Sequence, residues 1–298
     1  MATEVSTPAV AAPRIGSRRK PRPVPEGGRI NWGLTIIVAI CSLTILIPLY
    51  FAIAMALKSP AQTGTGTGFN FPWPIQWGNF RAAWDLTDTP LAFAMSTLVT
   101  VIAVVGEILV SSLAAWAIVR NWNHWQFRAT FIYLLAALFI PFPVVALPQV
   151  KLMASIGLAN PFGVALLHIM FALAFNVLLF SAFIRSIPVE LEESARLDGC
   201  TTLQTYRKIV LPLLTPIAAT VGIFAFLQSW NDFMMPNLIT ANPKWQTLPV
   251  IQYLFQDQFT TNFNVAFASY LMALLPTLVV FLIAQRWVVS GIMRGSIK

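Results

Sequence analysis

Charge is scarce in this chain. Of its 298 residues, 10% are Asp, Glu, Lys or Arg, while 57% are hydrophobic. An average soluble domain is about 25% charged. A water-soluble fold built from this composition would leave large apolar surface facing solvent, and a disordered chain is excluded for want of polarity. Histidine and cysteine are nearly missing too, with two of each. Cys41 sits in an apolar run and Cys200 in a polar one, so the sequence holds neither a disulfide framework nor the paired spacing of a metal site. It offers no paired catalytic carboxylates, metal-ligand cluster or nucleophile–base pair that would speak for an intramembrane enzyme. No Gly-x-x-x-x-Gly-Lys-Ser/Thr run occurs, so the phosphate cradle of an ATPase is absent. The alternating segments of about ten residues that mark a membrane β-barrel are absent as well.

What remains is a series of long apolar runs. Residues 30–57, 129–150, 152–184, 209–231 and 258–285 carry no charge, and 89–119 carry only Glu107. Each is long enough for the roughly 20 residues of a bilayer crossing. The reading is an all-α, polytopic membrane protein with six transmembrane helices, at about 33–57, 91–119, 129–149, 160–184, 209–231 and 265–285.

The net charge of +8 would suit nucleic acid, but its distribution speaks for membrane orientation. Fifteen cations fall in one set of segments: Arg14, Arg18, Arg19, Lys20, Arg22 and Arg29; Arg120 and Arg128; Arg185, Arg196, Arg207 and Lys208; Arg286, Arg294 and Lys298. Four fall in the other: Lys58, Arg81, Lys151 and Lys244. The sets alternate along the chain, so both termini are expected in the cytoplasm. Residues 1–30 read as a disordered basic cytoplasmic tail able to touch anionic lipid, and 31–298 as the membrane domain. A cleaved export signal fits less well, because the first apolar run exceeds the usual 7–15 residues of a signal core.

The cytoplasmic loop 186–208 is the most informative segment. Pro188 stands where a helix can begin, with Glu190, Glu192 and Glu193 in its first turns, favourable to the helix dipole. Gly199 suits a left-handed cap, and Thr201 with Gln204 fits a capping box that opens a second helix. On physics alone this is a pair of short helices around a glycine corner, equally consistent with an ordinary amphipathic loop.

The stretch Glu193-Ser194-Ala195, then Gly199, then Ile209-x-Leu211-Pro212 resembles the signature loop of ABC importer permeases. Its spacings match throughout, and Ser194 replaces the usual Ala. Trp230-Asn231-Asp232-Phe233, Leu147-Pro148-Gln149 and the ending from Gln285 to Lys298 resemble sugar-importer permeases of the maltose-permease type, specifically their shorter six-helix subunit. The resemblance covers about 30–298.

It implies a type I importer permease fold in a bacterial or archaeal cytoplasmic membrane. The coupling helix would dock on a separate ATPase through Glu193, Ser194, Ala195, Arg196, Asp198 and Gly199. It implies a second homologous permease, two ATPase subunits holding ATP and Mg, an extracytoplasmic substrate-binding protein and a sugar substrate. This chain itself would bind no metal, cofactor or nucleic acid. Trp245, Gln252, Tyr253 and Gln256 are candidates for binding-protein contact.

Polar groups at membrane depth are candidates for the substrate path: Glu107, Asn176, Gln228, Trp230, Asn231 and Asp232. Interhelical hydrogen bonding is the plainer reading of the same residues. Glu107 is the costliest of them and must face protein or water. With His168 it also leaves open a proton- or ion-coupled carrier, a reading that does not explain the loop spacing.

Overall fold

Pro141 and Pro143 interrupt the third apolar run, and Pro212 and Pro216 interrupt the fifth. In the computed structural model both runs are broken there. The structure describes residues 31–85, 88–258 and 262–295, apart from the side chains of 254–258 and 286–295. The expected tail 1–30 lies outside the described residues. So do Ser296, Ile297 and Lys298 and the side chains of Gln256, Gln258, Arg286 and Arg294.

The first unit extends to Ile47. Its helix is the start of α1 (Trp32–Ala56), opened by Asn31, whose Oδ1 accepts from Leu34 N at 3.3 Å. None of the most apolar window of α1 is buried. A helix apolar on every side is suited to lipid.

The second unit begins at Pro48. Short helices α2 (Pro60–Thr65) and α3 (Gly78–Asp85) lie between α1 and the long α4 (Thr89–Arg120). Next come α5 (Trp125–Ala137), α6 (Phe142–Ser155) and α7 (Pro161–Ile184). The loop helices α8 (Glu190–Leu197) and α9 (Thr202–Thr205) lead through a π-helical turn, Tyr206–Val210, to α10 (Leu211–Leu213) and α11 (Thr215–Asn231). The chain finishes with α12 (Met234–Ile239), α13 (Leu248–Gln258) and α14 (Phe263–Gly295).

Among the described residues, four helices are long and apolar enough to cross a membrane: α1, α4, α7 and the Phe263–Gln285 part of α14. Two bent pairs raise the number to six. The helix expected at 129–149 is formed by two, α5 and α6, meeting at 106°. Pro141 has no N–H to continue α5 and drives the residue before it out of the helical region. The helix expected at 209–231 is likewise bent by 77° near Leu214. There Thr215 Oγ1 donates to the Pro212 carbonyl at 2.7 Å, satisfying a group the break would otherwise orphan.

Helices α4 and α7 form the centre of this unit, with α11 packed on both and α14 against α11. The buried face of α4 is mostly small: Ala92, Ser96, Ala103, Ser111 and Ala115 recur at intervals of four, seven or eight residues, one or two helical turns. Such a stripe lets helices approach closely in lipid, where packing rather than the hydrophobic effect drives association. At Gly106 the approach is so close that a β-carbon would strike the Ile169 side chain.

Candidate functional site

The loop 186–208 folds as its residues predict. Helix α8 begins at Glu190, one turn's acids at its positive end. Gly199 takes φ +83°. The N–H groups of Gly199 and Cys200 donate to the carbonyls of Arg196 and Ala195, each at 3.0 Å, the double bond of a Schellman cap. Thr201 and Gln204 close a reciprocal capping box: Gln204 N donates to Thr201 Oγ1 at 3.3 Å, and Thr201 N to Gln204 Oε1 at 2.8 Å.

The two faces of α8 differ sharply. Glu193, Ser194, Arg196, Asp198 and Gly199 are exposed, and so are Leu191, Leu197 and Leu203. Leu197 is 89% exposed, an unusual position for a leucine in a polar loop. Ala195, expected on the same docking face, is buried on the inner side together with Glu192.

Glu192 is the anchor that the sequence reading missed. Its carboxylate accepts from Arg120 Nε at 2.8 Å and from the Trp116 indole N–H at 3.0 Å. Arg120 also donates to the Ile187 carbonyl at 3.1 Å. The Trp116 ring packs on Tyr206, centroids 5.4 Å apart, and the Tyr206 hydroxyl shares a 2.7 Å hydrogen bond with Ser112. A buried cluster including Val177, Phe180, Ile184, Ile187 and Val210 surrounds this chain of bonds. The loop 186–208 is thereby fastened to α4, α7 and the π-helical turn by a charge pair, side-chain hydrogen bonds and apolar packing. The helical period carried the signal, since residues 192 and 195 share a face.

Half of the polar residues expected at membrane depth come together. Glu107 of α4, Asn176 of α7 and Gln228 of α11 line one cavity of about 370 Å³ with Phe171, Phe175 and Phe224. Asn176 Nδ2 donates to Glu107 Oε2 at 2.9 Å. Glu107 is 1% exposed, and its Oε1 has no hydrogen-bond partner among the described residues.

The other three stand elsewhere. Trp230 is buried between Phe93 and Phe226, and its indole donates to the Ala273 carbonyl of α14 at 3.1 Å. Asp232 bonds His168 Nε2 at 2.9 Å and accepts from Met234 N at 3.0 Å, at the start of α12. Asn231 donates to Leu227 O within its own helix and borders a smaller cavity with Gln252 and Tyr270. His168 is thus paired with Asp232 and not with Glu107, so the two groups of the carrier reading are not joined.

Of the candidates for binding-protein contact, Gln252 and Tyr253 line a cavity of about 250 Å³ with Phe233, Pro249 and Tyr270. Tyr253 packs on Phe233 at 4.7 Å, and Gln252 Nε2 donates to Ser269 O at 3.3 Å. Trp245 lies in a separate short turn, Pro243–Trp245. This loop is held to α4 where Leu248 N donates to Ser96 Oγ at 2.8 Å. Among the described residues, no group of three His, Cys, Asp or Glu side chains could hold a metal ion.

Residues 107–294 match the family described as binding-protein-dependent transport system inner membrane component. The chain is 35% identical over 209 residues to a multiple sugar-binding transport system permease protein of Streptococcus mutans, covering 69% of this chain and 76% of that one. It is 31% identical over 267 residues to a melibiose/raffinose/stachyose import permease protein of Bacillus subtilis, covering 89% and 96%. Its fold matches a crystal structure of a bacterial ABC transporter involved in the import of the acidic polysaccharide alginate. There the TM-score is 0.76 at 22% identity, over 88% of this chain and 99% of that one.

Proposed function

The chain belongs to the family of binding-protein-dependent transport system inner membrane components, and from that premise we propose that it is a permease subunit of an ATP-driven importer of di- or oligosaccharides. It forms part of the path across the cell membrane and makes or breaks no bond in its solute. Energy comes from separate ATPase subunits, since no phosphate-binding loop occurs in the sequence. A second permease completes the path, and an external binding protein delivers the sugar to the loops at 58–90 and 233–264. The sugar relatives in the family support the cargo class.

The observation that carries the reading is the two-sided α8. Its exposed side presents Glu193 and Arg196 with Leu191 and Leu197, Asp198 follows at its end, and α9 adds the exposed Leu203. A polar rim around apolar anchors is the anatomy of a protein interface. Its inner face is fixed to α4 through Glu192. An ATPase bound to the outer face would therefore move α4 and α7 with the loop, turning ATP-driven closure into a change between inward- and outward-facing states.

The test is co-purification of the tagged chain in mild detergent from cells holding its partners. Wild type is expected to retain an ATPase and a second permease. Glu193→Ala combined with Gly199→Pro is expected to lose the ATPase while keeping the permease. A wild-type chain that purifies alone, shows no associated ATPase activity and still transports in vesicles would overturn the reading.

A further inference from the structure

The cavity between α4, α7 and α11 holds an acid with one oxygen unspent. We propose that Glu107 is a substrate-binding residue of this chain, and that its cavity takes a neutral, hydroxyl-bearing sugar ring and rejects acidic saccharides. The proposal rests on the transport reading above and deepens it: the subunit itself reads the solute, in addition to whatever its binding protein selects.

Burying a carboxyl group at membrane depth is costly unless its oxygens are bonded. Asn176 Nδ2 satisfies Oε2 at 2.9 Å. Oε1 is buried and left without a partner among the described residues, and Glu107 is one of the residues that line the cavity. A helix-to-helix staple would be complete with both oxygens engaged. An unpaired acceptor on a residue lining a cavity can accept, after a small turn of its side chain, from a donor that arrives, and a sugar hydroxyl is such a donor. The remaining lining suits the same guest. Phe171, Phe175 and Phe224 offer apolar faces for the C–H side of a ring, and the Gln228 amide both donates and accepts. The volume of about 370 Å³ falls at the lower end of the range for small-molecule pockets.

The same acid sets the exclusion. A uronate brought against Glu107 would crowd two acids into an apolar space, where both cannot be ionised together without a strong mutual penalty. A neutral ring meets no such cost.

The test uses the complete complex in nanodiscs with no binding protein added. Equilibrium dialysis measures tritiated maltotriose, raffinose, N,N′-diacetylchitobiose and trigalacturonate. At least one of the three neutral sugars should bind wild type more tightly than trigalacturonate. Glu107→Ala should weaken that sugar about tenfold, the scale of one lost hydrogen bond to a charged group. Glu107→Gln keeps an acceptor oxygen and should stay within about threefold, while narrowing the gap to trigalacturonate. Should Glu107→Ala fail to assemble, Gln228→Ala reads the same cavity and is expected to weaken the same sugar.

Tighter binding of trigalacturonate than of every neutral probe would overturn the proposal. So would unchanged neutral-sugar binding in the assembled variants, or no neutral sugar bound by wild type. Each of those leaves the transport reading standing if the ATPase subunits still co-purify. A chain that never co-purifies with an ATPase sinks both.

Discussion

Arg120 Nε stands 2.8 Å from Glu192 Oε1, joining the last residue of α4 to the inner face of α8. The Glu192 side chain is 1% exposed and that of Arg120 17%. Removing one partner of such a pair leaves a buried charge uncompensated, which typically costs 3–5 kcal/mol. Arg120→Ala is therefore expected to destabilise the loop by about 3 kcal/mol. It should also raise the ATP hydrolysed per sugar moved in proteoliposomes. Glu192→Gln keeps an acceptor for Trp116 and should do less on both measures. Equal coupling ratios in wild type and Arg120→Ala would show that force does not pass through this pair.

Gly199 separates conformation from packing. Its φ is +83°, yet a β-carbon there would meet nothing within 4 Å. Any penalty on substitution is therefore one of backbone conformation alone, about 1–2 kcal/mol for a non-glycine residue in the left-handed region. Gly199→Ala should lower the thermal midpoint of the purified complex. Gly199→Asn should lower it less, because asparagine tolerates this conformation better.

Gly106 gives the opposite case. Its backbone is helical, and the neighbour a side chain would strike is the flexible end of Ile169. Gly106→Ala can be accommodated by a shift of that end. Gly106→Val overfills the gap and is expected to cost about 1–3 kcal/mol. Ile169→Ala should restore much of the loss in the double variant, as coupled neighbours do. Detergent thermal melts of the four chains test this, and additive losses would count against direct contact.

Asp232 is expected to act on structure rather than on solute choice. It bonds both His168 and Met234 N. Asp232→Ala should cost about 1–2 kcal/mol, the scale of a lost helix cap. Asp232→Asn, which still accepts from Met234 N, should cost less. The ranking of sugars in a competition assay should be unchanged by either, in contrast to substitutions at Gln228.

The membrane spans were legible because hydropathy and charge depend on composition, which the sequence states outright. Gly199 and the Thr201–Gln204 box were legible because caps are local, resolved within four residues. The breaks near Pro141 and Leu214 were harder. Prolines mark where a helix can yield, but the 106° and 77° bends depend on what the two halves pack against. Glu192 was hidden for a related reason. It stands among Glu190 and Glu193, chemically alike, and only Arg120 and Trp116, more than seventy residues earlier, distinguish it. Trp230 and Asp232 were ambiguous in the sequence because indole and carboxylate chemistry suits a sugar path and a helix joint equally, and their partners Ala273 and His168 lie 43 and 64 residues away along the chain.

The distance along the chain between Glu107 and Asn176, 69 residues, bears on how the protein is made. Helix α4 leaves the ribosome before α7 exists, so Glu107 must enter the bilayer without its amide. A charged residue at the centre of an inserting helix costs about 2.5–3.5 kcal/mol on insertion scales. The apolar residues that fill the rest of α4 offset that cost during the interval. Only when α7 arrives does the carboxyl gain its first bond. The order of synthesis thus requires α4 to be stable in lipid by itself, and the cavity can exist only once α11, the last of its three walls to be made, has joined α4 and α7.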